Sequence, residues 1–381
     1  MRKVKVCNLC IKHPADDGRV YDKISRTLVQ LGYDVHNTAP NAHTHQTPEG
    51  VFIHGFLQKA GIFGRVMSIL RLYDCLKLIA PDVLFCHEPD SLLIGYIYYK
   101  RHNKNASKVK LVFDCHEAYE HWYSQNKRFK TFMRLVNHIA VIFINYIVKR
   151  STAVTSVNQT MTERYRLLNL NSYFLPSLMS DAFLKKTDTT TNRSPRNIIY
   201  FGQFGKSHQA RIFTEAASIL KTKGIMIQIT ILGAEDNKEI DEFKQKLLEL
   251  NLQNYYNFLP RLPKSDAFEL LYDYSVGIMR FDSSFMLGNY AMPNKLFEYM
   301  SCGLAILACR KNIEIARIIE EEGCGILLDD ETGDAFAEAI LYIIANPDSV
   351  LDMGIQSYRA TKEKYNWKEF GKILKHIVEV L

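Results

Sequence analysis

The chain has 381 residues, 47% of them apolar and 23% charged, and a formal net charge of +7. That length is too great for one ordinary hydrophobic core and predicts two domains, and the composition excludes a disordered chain. No apolar run is long enough to span a bilayer, and the start Met1–Cys7 lacks a signal-peptide core, so a cytoplasmic protein is expected.

Positive charge is concentrated in the first part of the chain. Residues 1–180 contain 24 Lys and Arg against 13 Asp and Glu. This surplus favours an anionic partner, and the basic, apolar segment 127–134 favours an anionic membrane surface at the inner face of the membrane. No nucleic-acid-binding motif accompanies the charge. The competing interpretation is that these cations only form a solvated rim.

Strand and helix patterns alternate along the chain, which predicts parallel sheets. A polar segment near residue 185 separates two alternating sets. We therefore predict an α/β protein with two doubly wound domains, residues 1–184 and 185–362, and a helix at about 363–381 that returns to the first domain. The predicted strands are Val4–Cys10, Tyr33–Thr38, Val51–His54, Val83–Cys86, Val109–Cys115, Ala153–Ser156, Ile198–Phe201, Ile227–Leu232, Val276–Arg280, Leu304–Ala308 and Gly325–Leu328.

The loop after the first strand carries groups that suit an anion. Gly18 permits a close backbone approach, and Arg19 adds positive charge at the start of a helix predicted over Asp17–Leu31. Asp16 or Asp17 alternatively caps this helix. The loop has no glycine pattern of the dinucleotide-binding type, which argues against a nicotinamide dehydrogenase.

Two strands of the first domain end in a His-Glu pair, at His87-Glu88 and at His116-Glu117. Polar groups at the carboxyl ends of parallel strands collect at one edge of the sheet, where open α/β folds bind ligands. A single pair of this kind is also typical of an ordinary polar strand end. Because two neighbouring strands end this way, we predict a site.

The segment Pro293–Ala308 predicts a short helix, a glycine break at Gly303 and a buried strand. Glu298 lies on this helix at the carboxyl edge of the second sheet, where a carboxylate can accept hydrogen bonds from two vicinal ribose hydroxyls. Spacing alone also allows a solvated or ion-paired glutamate.

These segments resemble the retaining, family 4 type glycosyltransferases (glycosyl transferases group 1) of the GT-B fold, most specifically at Asp17–Val35, Asp114–Glu117 and Pro293–Ala308. The resemblance implies two Rossmann-like domains facing a cleft. Glu298 matches the second Glu of the family's Glu-x7-Glu motif, which binds the donor ribose, whereas Tyr290 replaces the first Glu. Asn294 and Lys295 belong to the same segment.

The resemblance also covers the loop after Tyr200. Gly202 and Gly233 match strand ends of the donor site, and Gln203 and His208 replace the Arg and Lys that hold the donor diphosphate in the family. We expect Lys206 or Lys295 to compensate for the lost charge.

The implied activity is transfer of a sugar from a nucleotide-sugar donor to a glycan or lipid-linked acceptor in bacterial surface polysaccharide biosynthesis. His116, Glu117 and Lys295 are the expected catalytic residues. No cofactor is expected beyond the donor as substrate, and no metal, because an Asp-x-Asp motif is absent. A sugar-nucleotide epimerase of the same fold and a catalytically weak nucleotide-sugar-binding subunit remain the alternatives.

Overall fold

The computed structural model describes residues 2–58, 61–103, 108–116, 130–178, 193–202, 204, 207–233, 238–279 and 290–381. The chain forms two compact units. Unit 1 comprises Met1–Ser177 with Trp367–Leu381, and unit 2 comprises Leu178–Asn366.

Unit 1 is built on a sheet of eight strands. Seven of them pair in parallel, and the two-residue strand β3 pairs antiparallel to β4. The strands are β1 (Lys5–Leu9), β2 (Asp34–Pro40), β3 (His45–Gln46), β4 (Phe52–Phe56), β5 (Val83–Cys86), β6 (Lys110–Cys115), β7 (Ala153–Ser156) and β8 (Ser172–Phe174). Their order is β3-β4-β2-β1-β5-β6-β7-β8, so the winding direction reverses between β1 and β5.

The helices of unit 1 connect these parallel strands. A π-helical turn over Val20–Ser25 continues into α1 (Arg26–Gln30), followed by α2 (Gly61–Ile79), α3 (Pro89–His102), α4 (Lys130–Val148) and α5 (Gln159–Arg166). The helix predicted over Asp17–Leu31 therefore starts later and with wider turns. The Ser25 hydroxyl donates to the Val20 carbonyl oxygen, 2.7 Å away, which satisfies an acceptor inside the wide turn.

Unit 2 contains a sheet of six strands, all parallel. They are β9 (Ile198–Phe201), β10 (Ile229–Leu232), β11 (Tyr256–Leu259), β12 (Val276–Ile278), β13 (Ala305–Cys309) and β14 (Gly325–Leu328), in the order β11-β10-β9-β12-β13-β14. The winding reverses between β9 and β12. The helices are α6 (Ser207–Thr222), α7 (Lys238–Glu249), α8 (Lys264–Leu271), α9 (Asn294–Ser301), α10 (Ile313–Glu322), α11 (Gly333–Ala345) and α12 (Pro347–Glu363). The predicted parallel α/β architecture is confirmed.

The last helix, α13 (Trp367–Glu379), belongs to unit 1. The Trp367 indole Nε1 donates to Thr27 Oγ1 at 2.6 Å, and the Tyr33 hydroxyl donates to Glu379 Oε1 at 2.9 Å. Among the described helices, none combines the length and the apolar character needed to cross a membrane.

Candidate functional site

Asp114 organises the polar cluster of unit 1, close to the reversal between β1 and β5. Its side chain is fully buried near the end of β6 and has four partners. Arg19 donates through Nε at 3.0 Å and Nη2 at 2.6 Å. The Thr155 hydroxyl donates at 2.6 Å, and His87 Nδ1 and His116 Nε2 lie 3.0 and 2.5 Å from Oδ2. One carboxylate therefore joins residues that are far apart in sequence.

The surroundings fix the charges of this cluster. Burial by itself raises the pKa of the Asp114 carboxyl, but the Arg19 guanidinium and the hydrogen bonds from the histidines hold that pKa well below its usual range. Burial lowers the pKa of His116 to about 4, although Asp114 acts in the opposite direction. His116 is therefore neutral at pH 7. Because Nε2 faces a carboxylate, it carries the proton, and Nδ1 is left as a hydrogen-bond acceptor.

The loop after β1 brings a second layer of charge to the cluster. His13 lies against Asp17 through Nδ1, at 3.1 Å, and its ring centre is 4.9 Å from that of His116. Burial alone would lower the pKa of His13, but the Asp17 hydrogen bond and the Glu88 carboxylate raise it. Glu88 is buried and accepts the backbone N–H groups of Ile11 and Lys12.

The loop residues predicted to bind an anion, Gly18 and Arg19, have different surroundings. The Asp17 carboxylate accepts the backbone N–H groups of Arg19 and Val20 at 2.9 and 2.8 Å, as the capping alternative predicts. A Cβ added at Gly18 would meet nothing within 4 Å, so space is open there. The Arg19 guanidinium, in contrast, is buried against Asp114, which reduces the charge that it offers to an incoming phosphate.

Three side chains of the cluster also have the spacing of metal ligands. One ligand atom each from His87, Asp114 and His116 lie within 4.8 Å of one another. The Asp114 carboxylate is already matched by the Arg19 guanidinium, which would repel a divalent cation. This charge balance disfavours a metal at these residues.

The polar groups of unit 2 also collect at the reversal of its sheet. Gly202 follows β9 with φ +116°, and Gly233 follows β10 with φ +94°. A Cβ at Gly202 would lie 2.8 Å from the Nζ atom of Lys295, and one at Gly233 would lie 3.2 Å from the Gly202 carbonyl oxygen. The same Nζ lies 4.1 Å from the ring centre of Tyr200. The Lys295 ammonium group thus lies beside the Gly202 backbone, and the Gly233 turn packs against the other part of the same glycine.

Helix α9 presents Lys295 through a specific attachment to the sheet. The Tyr299 hydroxyl accepts the backbone N–H of Phe201 at 2.7 Å and donates to the Ile278 carbonyl oxygen at 3.2 Å. Its ring packs on Gly277, where an added Cβ would come within 2.5 Å. Glu298 is half-buried, one turn after the exposed Asn294 on the same side of the helix. Lys295, Glu298 and the two glycines therefore share one edge of unit 2.

Some predicted site residues lie outside the described residues, namely Glu117, Gln203 and Lys206, and the side chain of His208 is likewise not described. The sequence-based prediction missed Asp114 as the centre of the unit 1 cluster, and also Thr155 and Tyr299. An aspartate inside an otherwise apolar strand signals a buried charge that needs partners.

Two family models match the chain, one in each half. The model described as Glycosyltransferase Family 4 matches residues 18–172, and the one described as Glycosyl transferases group 1 matches residues 195–346. The two ranges together span about four fifths of the chain. No curated protein has a significantly similar sequence.

Solved structures with the same fold cover nearly the whole chain at low identity. A glycosyltransferase from Rickettsia africae ESF-5 has a TM-score of 0.72 and 14% identity, and covers 100% of both chains. Anabaena Alr3699/HepE in complex with UDP-glucose has a TM-score of 0.68 and 12% identity, with 99% and 100% covered. Sucrose-phosphate synthase (tll1590) from Thermosynechococcus elongatus has a TM-score of 0.68 and 15% identity, with 98% of each chain covered.

Two parallel-sheet α/β units with these neighbours define the GT-B fold. The chain belongs to the group 1 glycosyltransferases of the family 4 type, as its motifs predicted, and is a transferase of that class.

Proposed function

We propose that this protein is a retaining, metal-independent glycosyltransferase that moves a sugar from a nucleotide-sugar donor to a glycan or lipid-linked acceptor. A cytoplasmic location and a place in bacterial surface polysaccharide biosynthesis complete the proposal. The epimerase and the binding subunit make no use of an acceptor, and nothing in the part of the chain that the structure describes favours either of them.

The observation that carries the proposal is the position of Lys295 over Gly202. A diphosphate needs a cation at close range, and the absence of a side chain at Gly202, where φ is positive, lets the Lys295 Nζ lie close to the end of β9. Lys295 supplies the charge from the helix that also carries Glu298. In the proposed mechanism Lys295 stabilises the departing diphosphate, and Glu298 binds the ribose.

In unit 1, His116 is the residue that we propose for contact with the sugar. Its neutral ring, with Nδ1 as acceptor, suits a hydrogen bond from a sugar hydroxyl rather than proton donation at pH 7. Glu117, the next residue in sequence, stays a predicted acceptor-side group.

Nucleotide binding by the Lys295→Met variant tests the proposal. Calorimetry with UDP, GDP and ADP should identify one diphosphate that binds the wild-type protein. Lys295→Met should weaken the binding of that diphosphate by about 1.5–3 kcal/mol, because the diphosphate interacts with the Lys295 ammonium group. The binding of the matching nucleoside, which lacks the phosphates, should be almost unchanged. Lys311→Met, a cation of the same unit that pairs with Asp330, is the matched control. Equal losses for diphosphate and nucleoside would contradict the role.

Turnover then separates the enzyme from its alternatives. The wild-type protein is incubated with the sugar form of the nucleotide that binds, with and without a panel of glycan and lipid-linked acceptors, in the presence of a chelator. Glycosidic product with retained anomeric configuration supports the proposal. Release of free diphosphate with an altered free sugar would indicate an epimerase, and binding without turnover would indicate a binding subunit.

A further inference from the structure

Helix α4 has an apolar outer face in addition to its buried face. Ile144, Ile147 and Val148 pack into the core of unit 1. The opposite side of the helix should be polar in a helix that covers a sheet and faces water. It instead exposes large apolar side chains, which we call the α4 face: Leu135, Val136, Ile139, Ile142, Phe143 and Tyr146.

The exposure of these side chains is substantial. Leu135 is 57% exposed, Ile139 58% and Ile142 56%. At 100° per residue the six positions fall within one third of the circumference, and they run for about 16 Å along the helix. Scattered apolar residues on a surface need no explanation, but a contiguous stripe of this kind marks an interaction site.

The charges around the α4 face indicate the chemistry of the partner. Helix α4 contains no Asp or Glu. Lys149 and Arg150 follow it, are exposed, and by their spacing continue the same side, with the Arg150 guanidinium 3.8 Å from the ring centre of Tyr146. The neighbouring helix α3, whose Tyr96 packs edge-on against Tyr146, carries the exposed Lys100 one turn further along. Cations therefore lie beside the C-terminal end of the apolar stripe. Neither α4 nor the last turn of α3 carries an acidic residue there.

We propose that the α4 face lies in the surface of an anionic lipid bilayer, with the large side chains among the acyl chains and the flanking cations at the lipid phosphates. Helices with an apolar face and basic flanks bind membranes in this orientation. A second copy of this chain fits less well in a parallel pairing of the two helices, because Lys149 and Arg150 of one copy would meet those of the other. The apolar stripe, rather than segment 127–134, then carries the predicted membrane contact; of that segment, residues 127–129 lie outside the described residues.

The topology of unit 1 connects this surface to the site. Helix α4 lies in the connection from β6 to β7, so its first residues are on the side where β6 ends. His116 and Asp114 are at that same end of β6. A membrane-bound α4 would therefore keep the His116 edge of unit 1 near the lipid surface, which suits a lipid-linked acceptor; only this last step rests on the proposed function.

Vesicle co-sedimentation tests the proposal with two matched triple variants. Leu135→Ser with Ile139→Ser and Phe143→Ser removes half of the α4 face. Leu78→Ser with Leu167→Ser and Leu170→Ser removes three leucines of unit 1 that are 78%, 87% and 86% exposed elsewhere. Phosphatidylcholine vesicles with and without phosphatidylglycerol are the probes.

The wild-type protein should pellet with phosphatidylglycerol vesicles at low salt and stay in solution with phosphatidylcholine alone. The α4 triple variant should partition onto vesicles at least about tenfold more weakly, because three side chains that would insert into the bilayer are lost. The matched variant should partition like the wild type. Lys149→Gln with Arg150→Gln should reduce both binding and its salt dependence.

Three results would overturn the proposal: a wild-type protein that ignores anionic vesicles, equal losses in the two triple variants, or a concentration-dependent dimer in sedimentation velocity that the α4 variant abolishes. Nucleoside diphosphate binding is measured on the same samples. If vesicle binding fails while the diphosphate binds, only the membrane contact is wrong, and the reverse outcome would reject the proposed function alone.

Discussion

The pair of Asp114 and His116 shows how one buried carboxylate sets the properties of a neighbouring base. Asp114 is charged, paired with Arg19, and faces His116 Nε2 at 2.5 Å. This contact orients the imidazole so that Nδ1 can accept a hydrogen bond, which is possible only while the ring is neutral. We therefore regard Asp114 as a positioning residue. We expect the consequence for His116 to appear in the free energy of unfolding between about pH 4 and about pH 6.5.

The pKa of His116 predicts a loss of stability as the pH falls. The folded protein holds that pKa at about 4, below the ordinary value of about 6.5, so the unfolded chain binds more protons between these values. The free energy of unfolding should then decrease from about pH 6.5 to about pH 4, by up to about 3 kcal/mol. In His116→Gln, which retains a donor toward Asp114, this slope should be smaller.

Urea unfolding at several pH values measures this slope. His13 has a raised pKa and acts in the opposite direction, because its contribution is present at low pH and disappears as the pH rises. The carboxyl of Asp114 titrates below this pH range because its pKa is depressed. Identical slopes in the wild type and His116→Gln would contradict the neutral-histidine model.

Glu298 provides a second residue-scale prediction, for the nucleoside part of the donor. Under the proposed function its carboxylate accepts ribose hydroxyls, so Glu298→Ala should weaken both nucleoside and diphosphate by about 1.5–3 kcal/mol. Lys295→Met, by contrast, should affect the diphosphate alone. Glu338→Ala, an exposed position on α11, is the control. A folded Glu298→Ala protein that binds the nucleoside with unchanged affinity in titration calorimetry would reject the ribose contact.

At the scale of elements, the attachment of α9 to the sheet depends on one glycine. Gly277 lies inside β12, directly below the Tyr299 ring. Gly277→Ala would push the ring away and stretch the hydroxyl contacts to Phe201 and Ile278, so we expect a loss of about 1–3 kcal/mol in stability. The affinity for the diphosphate should fall as well, because Lys295 lies on α9 and would move with it.

Thermal unfolding and calorimetry on one sample check this prediction. Gly18→Ala is the matched control for stability, because an added Cβ there meets nothing within 4 Å. Tyr299→Phe should also be destabilising, by about 1–3 kcal/mol, since the partly buried Phe201 N–H loses its acceptor. A Gly277→Ala protein with unchanged melting temperature would show that α9 is not held in this way.

The predicted elements and the predicted contacts differ in how far the sequence determines them. Apolar runs and glycine breaks predicted most strands to within a few residues, including β5, β7, β9 and β14 with their observed ends. The partners of Asp114 could not be predicted, because Arg19 is 95 residues away and Thr155 41 residues away. Only the register of β6 against β7, which pairs Asp114 with Thr155, brings the latter contact about. Gly277 inside a strand is a feature that can mark a close approach, but it was not used in the prediction.

At the scale of the whole molecule, the chain assembles unit 1 from its two ends. Helix α12 ends at Glu363 in unit 2, and only from Trp367 onward does the chain join unit 1. Besides the hydrogen bonds of Trp367 and Glu379, Lys110 Nζ donates to the Val378 carbonyl oxygen at 2.7 Å, and Phe370 packs edge-on against Phe174. The folding of unit 1 therefore depends on residues that come after unit 2 in the sequence.

This arrangement predicts that α13 stabilises unit 1 selectively. Trp367→Ala removes an indole that is only 8% exposed and its hydrogen bond to Thr27, so the free energy of opening unit 1 should fall by about 3–5 kcal/mol. Hydrogen exchange followed by mass spectrometry should show faster exchange in β1, β2 and α1, and unchanged exchange in β9 to β14, because unit 2 contains its own core. Lys372→Ala, a change at an exposed position of the same helix, should leave both units protected. Faster exchange in both units alike would mean that α13 acts on the whole chain and that unit 1 does not unfold independently.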